Sequence, residues 1–144
     1  MALKITLKPH ERMIIGGAVI KNGSSNCELL VENNIPILRE KDIMSQDDAN
    51  TPSKRIYFVI QLMYVDEKNI KTHHEIYWSL VKDILKAAPS ALDLIDQINE
   101  YIVAGRYYQA LKLARQLIKY EQKIINNLCA SSENIRRYSE VEHP

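Results

Sequence analysis

Residues 51–64, TPSKRIYFVIQLMY, are the stretch in which the chain changes from strand patterning to helix patterning. Thr51 is a residue type that caps helices, and Pro52 suits the first helical position. The apolar side chains that follow recur at intervals of three and four residues, which places them on one helical face: Ile56, Val59, Ile60, Met63 and Tyr64. The sequence therefore predicts a helix that begins at Pro52 and packs one face on a core.

Downstream of this helix, the same periodicity predicts three more. The second helix is expected from about residue 72 to 88, the third from about 90 to 105, and the fourth from about 107 to 128. On the second and fourth helices the expected buried stripes include Ile76 and Leu128, respectively.

Upstream, the pattern is that of β-strands. Leu3, Ile5 and Leu7 alternate with polar residues, as in a half-buried strand. In the apolar run over 11–21, Gly16-Gly17 is interpreted as a bulge or bend, and Asn22-Gly23 as the turn of a hairpin. A return strand is expected over residues 27–32 and a short one over 37–39.

The predicted fold class is thus α+β: an N-terminal antiparallel β meander of three to five strands, followed by a C-terminal bundle of about four helices. The middle strands carry apolar residues on both faces. Either the helices or a second copy of the chain must cover the face that the meander leaves open.

We expect a β-rich segment over residues 1–44, a helical segment over 45–130 that forms one compact domain with it, and a flexible tail over 131–144. Residues 41–50, which join the first two segments, are expected to form either a hinge or a short helix held by Ile43 and Met44.

Composition excludes several protein classes. The 144 residues carry a net charge of +1, which excludes a grossly basic nucleic-acid-binding arm and an acidic tail but not a local patch. The two cysteines have no spacing typical of a disulfide framework or zinc site. The start of the chain lacks a signal-peptide pattern, and no apolar run has the length of a membrane span, so we expect a cytoplasmic protein without membrane contact.

Catalytic motifs are absent from the sequence. The four histidines are not spaced as metal ligands, and there is no glycine-rich phosphate loop or nucleophile elbow. We therefore expect no enzyme activity, no catalytic residue, no metal and no cofactor.

The clearest polar feature is a basic row on the fourth predicted helix. Lys112, Arg115, Lys119 and Lys123 are three or four residues apart and fall on one stripe, with Tyr108 one turn before Lys112. Such a row suits a phosphate backbone, with tyrosine stacking on an unpaired base. The alternative is an ordinary solvated helix face.

Arg39 is a second candidate, because residues 38–42, LREKD, have the alternating charges of a protected edge strand and an arginine there could contact nucleic acid. The candidate RNA-binding set is Arg39, Arg106, Tyr108, Lys112, Arg115 and Lys119.

Several blocks of the sequence, taken in order, resemble the FlbT family. They are residues 7–12 (LKPHER), 14–23 (IIGGAVIKNG), 38–43 (LREKDI), 51–58 (TPSKRIYF), 61–64 (QLMY), 88–90 (APS) and 104–112 (AGRYYQALK). The resemblance spans nearly the whole chain, to about residue 125. His10 stands where the family pattern has glycine, which indicates a turn position with positive φ.

The resemblance implies a post-transcriptional regulator of flagellin synthesis in flagellum biogenesis. Such a protein would bind the 5′ untranslated region of flagellin mRNA and alter its translation or decay, as a repressor or an activator. The alternative is a protein adaptor that binds the companion protein FlaF or flagellin and affects the mRNA indirectly. A homodimer is compatible with either.

Overall fold

The computed structural model describes the backbone of residues 2–141 and the side chains of residues 2–130. It has the expected α+β class, with strands first and helices second. The strands are β1 (Leu3–Leu7), β2 (Arg12–Ile15), β3 (Ala18–Lys21), β4 (Cys27–Val31) and β5 (Ile37–Arg39). The helices are α1 (Pro52–Val65), α2 (Ile70–Ala87), α3 (Leu92–Val103) and α4 (Tyr107–Val141), with short 3-10 helices at Glu40–Asp42, Glu67–Asn69 and Pro89–Ala91.

The five strands form two antiparallel sheets. β1 pairs with β4 in one sheet, and β2 lies between β3 and β5 in the other. A meander would have paired each strand with the next, but here β1 passes over the β2–β3 hairpin and pairs with β4. This pairing lets the two small sheets pack face to face around Ile5, Leu7 and Met13.

The hairpin turn of the second sheet lies at Gly16-Gly17. Both glycines have positive φ, 55° and 86°, as a two-residue type I′ turn requires. The expectation of a bend there and of a hairpin at Asn22-Gly23 is therefore wrong. The Asn22 side chain instead joins two loops, because its Nδ2 donates to the carbonyl oxygen of Lys8 at 2.7 Å.

Both faces of the second sheet are covered from within the chain. Met13 faces the β1–β4 sheet, whereas Ile14 and Leu38 lie in the same apolar cluster as the four helices. The helices thus cover part of the face that was expected to be open. Val19 of this sheet and Leu3 and Leu30 of the other sheet stay exposed, at 69%, 54% and 67%.

The four helices begin near the expected residues, with two corrections to the buried faces. Ile76 is 47% exposed, and the fully buried residue of that turn is Tyr77. Leu128 is 63% exposed, because the covered side of α4 is formed by residues nearer its start: Ala110, Leu111, Ala114 and Leu117. Alanines at this interface allow the close helix approach that larger side chains would prevent.

α4 is also longer than expected, since its backbone remains helical to Val141 instead of ending near Leu128. The side chains of residues 131–141 and all of residues 142–144 lie outside the described part of the chain. The division into segments 1–44, 45–130 and 131–144, with a flexible tail, stays a prediction.

The segment that joins strands to helices is held by polar side chains of α1. Tyr57 donates its hydroxyl to the Asp42 carbonyl at 2.6 Å, and Gln61 both accepts from the Met44 N–H at 2.8 Å and donates to its carbonyl at 3.0 Å. One turn further on, the Tyr64 hydroxyl accepts from the Ile37 N–H at 3.2 Å. Of the short helix expected within residues 41–50, the structure has only the end of the 3-10 helix Glu40–Asp42. Ile43 and Met44 follow this helix and pack against the helical core.

Candidate nucleic-acid interface

The start of α4 is fixed by the way α3 ends. Gly105 has a φ of 73°, and the N–H of Arg106 donates back to the Tyr101 carbonyl at 2.8 Å, which closes the last turn of α3. The chain then re-enters a helix at Tyr107 with Arg106 exposed in the turn. This geometry directs the basic row of α4 toward solvent.

Three members of that row are exposed lysines: Lys112, Lys119 and Lys123. Among the side chains of residues 2–130, neither these lysines nor Arg106 forms an ion pair. Their positive charge is therefore available to an external anion.

Tyr108 lies beside Lys112 and is 37% exposed. The Lys112 ammonium lies 4.9 Å from the centre of the Tyr108 ring, which is a cation–π arrangement. The centres of the Tyr64 and Tyr108 rings are 6.1 Å apart. A base can stack on the face that Lys112 covers only after the ammonium moves away.

Arg115 has a different role from its lysine neighbours. Its guanidinium donates to the Lys41 carbonyl at 3.1 Å, to the Asp42 carboxylate and to the Tyr57 hydroxyl at 3.5 Å. Burial raises the pKa of the Tyr57 hydroxyl, so this group stays a neutral partner at physiological pH. Arg115 thus fastens the 40–42 helix to α4.

A pocket of about 290 Å³ lies between the basic row and the contacts that Arg115 makes with the 40–42 helix. Its lining combines three cationic side chains, one carboxylate and two tyrosine rings: Lys41, Asp42, Tyr57, Tyr108, Leu111, Lys112 and Arg115. Three of these residues belong to the predicted set, and Lys41 does not. The sequence signal for Lys41 was its place in the charged 38–42 segment.

Arg39 lies apart from this pocket and serves the joint between the sheets. Its guanidinium donates to the Thr6 carbonyl at 2.9 Å and to the Glu11 carboxylate at 3.1 Å. The Glu11 carboxylate also accepts from the Lys8 N–H at 2.9 Å. This backbone hydrogen bond, followed by the one from Arg39, lowers the pKa of Glu11.

The predicted set therefore divides into two groups. Arg106, Tyr108, Lys112 and Lys119 are presented to solvent, whereas Arg39 and Arg115 are engaged in internal ion pairs. Sequence spacing identified the row but could not reveal these internal partners, because Glu11 and Asp42 come from distant parts of the chain.

Comparison with known proteins assigns the chain to a family. The model of the family described as flagellar protein FlbT matches residues 3–125. The chain belongs to the FlbT family. The matched range includes all of the pocket and the basic row as far as Lys123, and it ends before the last part of α4.

Relatives in the FlbT family come from several bacteria. A probable flagellum biosynthesis repressor protein FlbT 1 of Bradyrhizobium diazoefficiens is 49% identical over 86% of this chain and 85% of its own length. A probable FlbT repressor of Rhodopseudomonas palustris is 39% identical over 88% of the chain and 99% of its own length. The flagellum biosynthesis repressor protein FlbT of Caulobacter vibrioides is 35% identical over 89% and 92%, respectively. No solved structure matches the chain.

Two histidines of α2 in this FlbT chain form side-chain contacts outside the basic row. Within the described residues there is no group of three potential metal ligands, and no helix is long and apolar enough to cross a membrane. His73 is paired with the Asp66 carboxylate at 3.0 Å, and His74 lies 3.3 Å from the Tyr107 hydroxyl. Hydrogen bonds from Asn69 and then His73 lower the pKa of Asp66.

Proposed function

We propose that this FlbT protein regulates flagellum biosynthesis by binding the 5′ untranslated region of flagellin mRNA and altering its translation or decay. It would do so in the cytoplasm and without enzymatic activity. Two of its relatives are named probable flagellum biosynthesis repressors, and a third is named a flagellum biosynthesis repressor. These names support the regulatory role and favour repression. The observation that carries the RNA assignment is the row of exposed, unpaired cations on α4 beside an exposed tyrosine.

In the proposed mode of binding, the ammonium groups of Lys112 and Lys119 contact successive phosphates of a single strand, and Arg106 extends the row. When Lys112 moves to a phosphate, it uncovers the ring of Tyr108, on which an unpaired base stacks. Unpaired leader RNA suits this surface better than a duplex, whose bases are not free to stack on a side chain.

The test compares two double variants that remove the same charge. Lys112→Ala/Lys119→Ala removes two exposed lysines of the row, and Lys82→Ala/Lys86→Ala removes two exposed lysines of α2. We expect only the first to weaken binding of flagellin leader RNA, by about tenfold or more, because two charge-assisted contacts are lost. The dependence of affinity on salt should also flatten by about 0.7 per lost phosphate contact. Equal affinities for the two folded variants would contradict the proposed site.

Arg115 is left out of this variant on purpose. Its removal would leave the Asp42 carboxylate without its ion-pair partner, so a loss of RNA binding could arise from a disturbed fold. Arg39 is left out for the same reason, since it pairs with Glu11.

A second candidate function is a protein adaptor that binds FlaF or flagellin. The observation that favours it is an open groove of about 700 Å³ between the β2–β3 hairpin and the C-terminal end of α1, distinct from the basic row. Recovery of FlaF or flagellin with nuclease-treated protein, combined with no binding of leader RNA, would establish this function in place of the first.

A further inference from the structure

No strand of the described residues 2–141 lies beside the outer edge of β3. β3 is the terminal strand of the sheet ordered β3-β2-β5, and its register with β2 fixes which backbone groups face outward. In an antiparallel pair, alternate residues exchange hydrogen bonds with the partner strand. The residues flanking the two-residue turn, Ile15 and Ala18, form such a pair, and the N–H of Asn22 donates to the Glu11 carbonyl at 2.8 Å.

It follows that the N–H and C=O groups of Val19 and Lys21 point away from β2. These four groups have the spacing that an added strand requires. The two side chains also lie on one face of the sheet, since residues two apart in a strand share a face.

The groove noted above begins at this edge. Val19 lines it, together with Ile35, Leu62 and Val65, so an apolar side chain of an added strand would meet apolar surface there. The hairpin turn lies close to α1: a Cβ atom on Gly17 would be only 3.0 Å from the Val65 carbonyl oxygen. Glycine permits this approach because it has no Cβ atom. This close approach gives the groove a backbone wall.

The charges at the other end of the edge are of one sign. Arg12 lies directly across the β2–β3 pair from Lys21, and neither strand contains an acidic residue. Two like charges in a cross-strand pair are unfavourable, whereas an acidic residue beside Lys21 would be stabilising. A second copy of β3 contains no acidic residue and would bring a further lysine.

We propose that the β3 edge and the groove together bind an extended segment of another protein. In that segment an apolar residue and an acidic residue are separated by one residue. The apolar side chain enters the groove beside Val19, the acidic side chain pairs with Lys21, and the backbone extends the sheet. This inference is independent of RNA binding, and it gives the adaptor alternative a specific surface and a partner chemistry.

The probe is a blocked five-residue peptide, Thr-Val-Thr-Glu-Thr, added to the isotope-labelled wild-type protein and followed by NMR. We expect the amide N–H signals of Val19 and Lys21 to shift and to gain protection from exchange, while those of Lys112 and Lys119 on α4 stay unchanged. The matched control is the same peptide with N-methyl groups on the amides that would pair, which should not bind.

The charge pairing is tested by exchange of sign. A lysine in place of the peptide's glutamate should weaken binding about two- to fivefold, and Lys21→Glu should reverse the preference. Absence of saturable binding, equal binding of the N-methylated peptide, or shifts confined to another surface would each overturn the proposal. Capture of FlaF or flagellin that is insensitive to Lys21→Glu would also overturn this site while leaving the adaptor function intact.

Discussion

His10 occupies a left-handed backbone conformation, with a φ of 61°, in the turn between β1 and β2. Pro9 precedes it, and the N–H of Glu11 donates to the Lys8 carbonyl at 3.1 Å, which closes the turn. A non-glycine residue at such a φ is strained, because its Cβ atom approaches the backbone. The glycine of the family pattern at this position indicated a positive φ, and the backbone of His10 has one.

We predict that His10→Gly stabilises the protein. The relieved strain of about 1–2 kcal/mol exceeds the entropic cost of glycine, about 0.5–1 kcal/mol, so the net gain should be about 0.5–1 kcal/mol. Urea denaturation checks this value, with Arg12→Gly in β2 as the control that should be destabilising. An unfolding midpoint of His10→Gly below that of the wild type would contradict the account of this turn.

Glu11 gives the fold a dependence on pH. Its pKa in the folded state lies below the ordinary value of 4.5, so its stabilising contribution is fully present above that value. The contribution is lost as the pH falls through the lowered folded-state pKa. We predict that Glu11→Gln is less stable than the wild type at neutral pH and that the difference narrows in acid below pH 4.5.

The measurement is the urea midpoint across a pH series, with Glu100→Gln, an exposed carboxylate of α3, as the control. A stability difference for Glu11→Gln that does not change between neutral and acidic pH would show that the lowered pKa contributes nothing to folding.

At the scale of elements, the joint between strands and helices depends on one face of α1. Gln61 is buried and satisfies both backbone groups of Met44. We predict that Gln61→Leu lowers the free energy of unfolding by about 2–4 kcal/mol, because two backbone groups lose their partners. Gln109→Leu, on the exposed side of α4, should change it by less than about 0.5 kcal/mol. Similar effects of the two changes on thermal unfolding would contradict this role for Gln61.

Removal of the ion-paired Arg115 and removal of an exposed lysine of α4 should change the free energy of unfolding by different amounts. Arg115→Ala leaves the largely buried Asp42 carboxylate without its ion-pair partner and should cost about 2 kcal/mol or more. Lys112→Ala removes an exposed side chain and should cost less than about 0.5 kcal/mol. Denaturant titration of both variants measures these costs. If Arg115→Ala leaves the free energy of unfolding unchanged, Arg115 has no structural role and is available to bind RNA.

Helical periodicity predicted α1 well because its start carries a cap and its apolar face is continuous. The Thr51 hydroxyl accepts from the Lys54 N–H at 3.2 Å, as a helix cap should. The same method failed at Ile76, which lies beside the buried face of α2 in a turn where Tyr77 is buried. It also failed at Leu128, which lies beyond the part of α4 that the other helices cover. Periodicity gives the direction of a side chain but not whether another element reaches it.

For the whole molecule, the class was predictable from the change of period at residue 51, but the division into two sheets was not. Strand pairing depends on contacts between distant residues, such as Leu3 with Val31, for which a single sequence holds no signal. The candidate site shows the same limit: spacing alone found the lysines, whereas the internal partners of Arg39 and Arg115 became evident only in the fold.

The surface is organised around two separate features. The basic row of α4 presents exposed cations, and the β3 edge presents outward-facing backbone groups beside a groove with apolar lining. They meet at the neighbouring rings of Tyr64, which lines the groove, and Tyr108, which lines the pocket. The two proposed binding surfaces are therefore neighbours.

Direct recognition of RNA is best tested by a binding titration of nuclease-treated protein with labelled flagellin 5′ leader RNA, in competition with a scrambled RNA and across a salt series. We predict leader-selective binding that weakens steeply as salt rises, because the proposed contacts of α4 are with phosphates. No binding, or equal binding of the scrambled RNA, would contradict direct recognition of the leader and leave the adaptor function as the explanation.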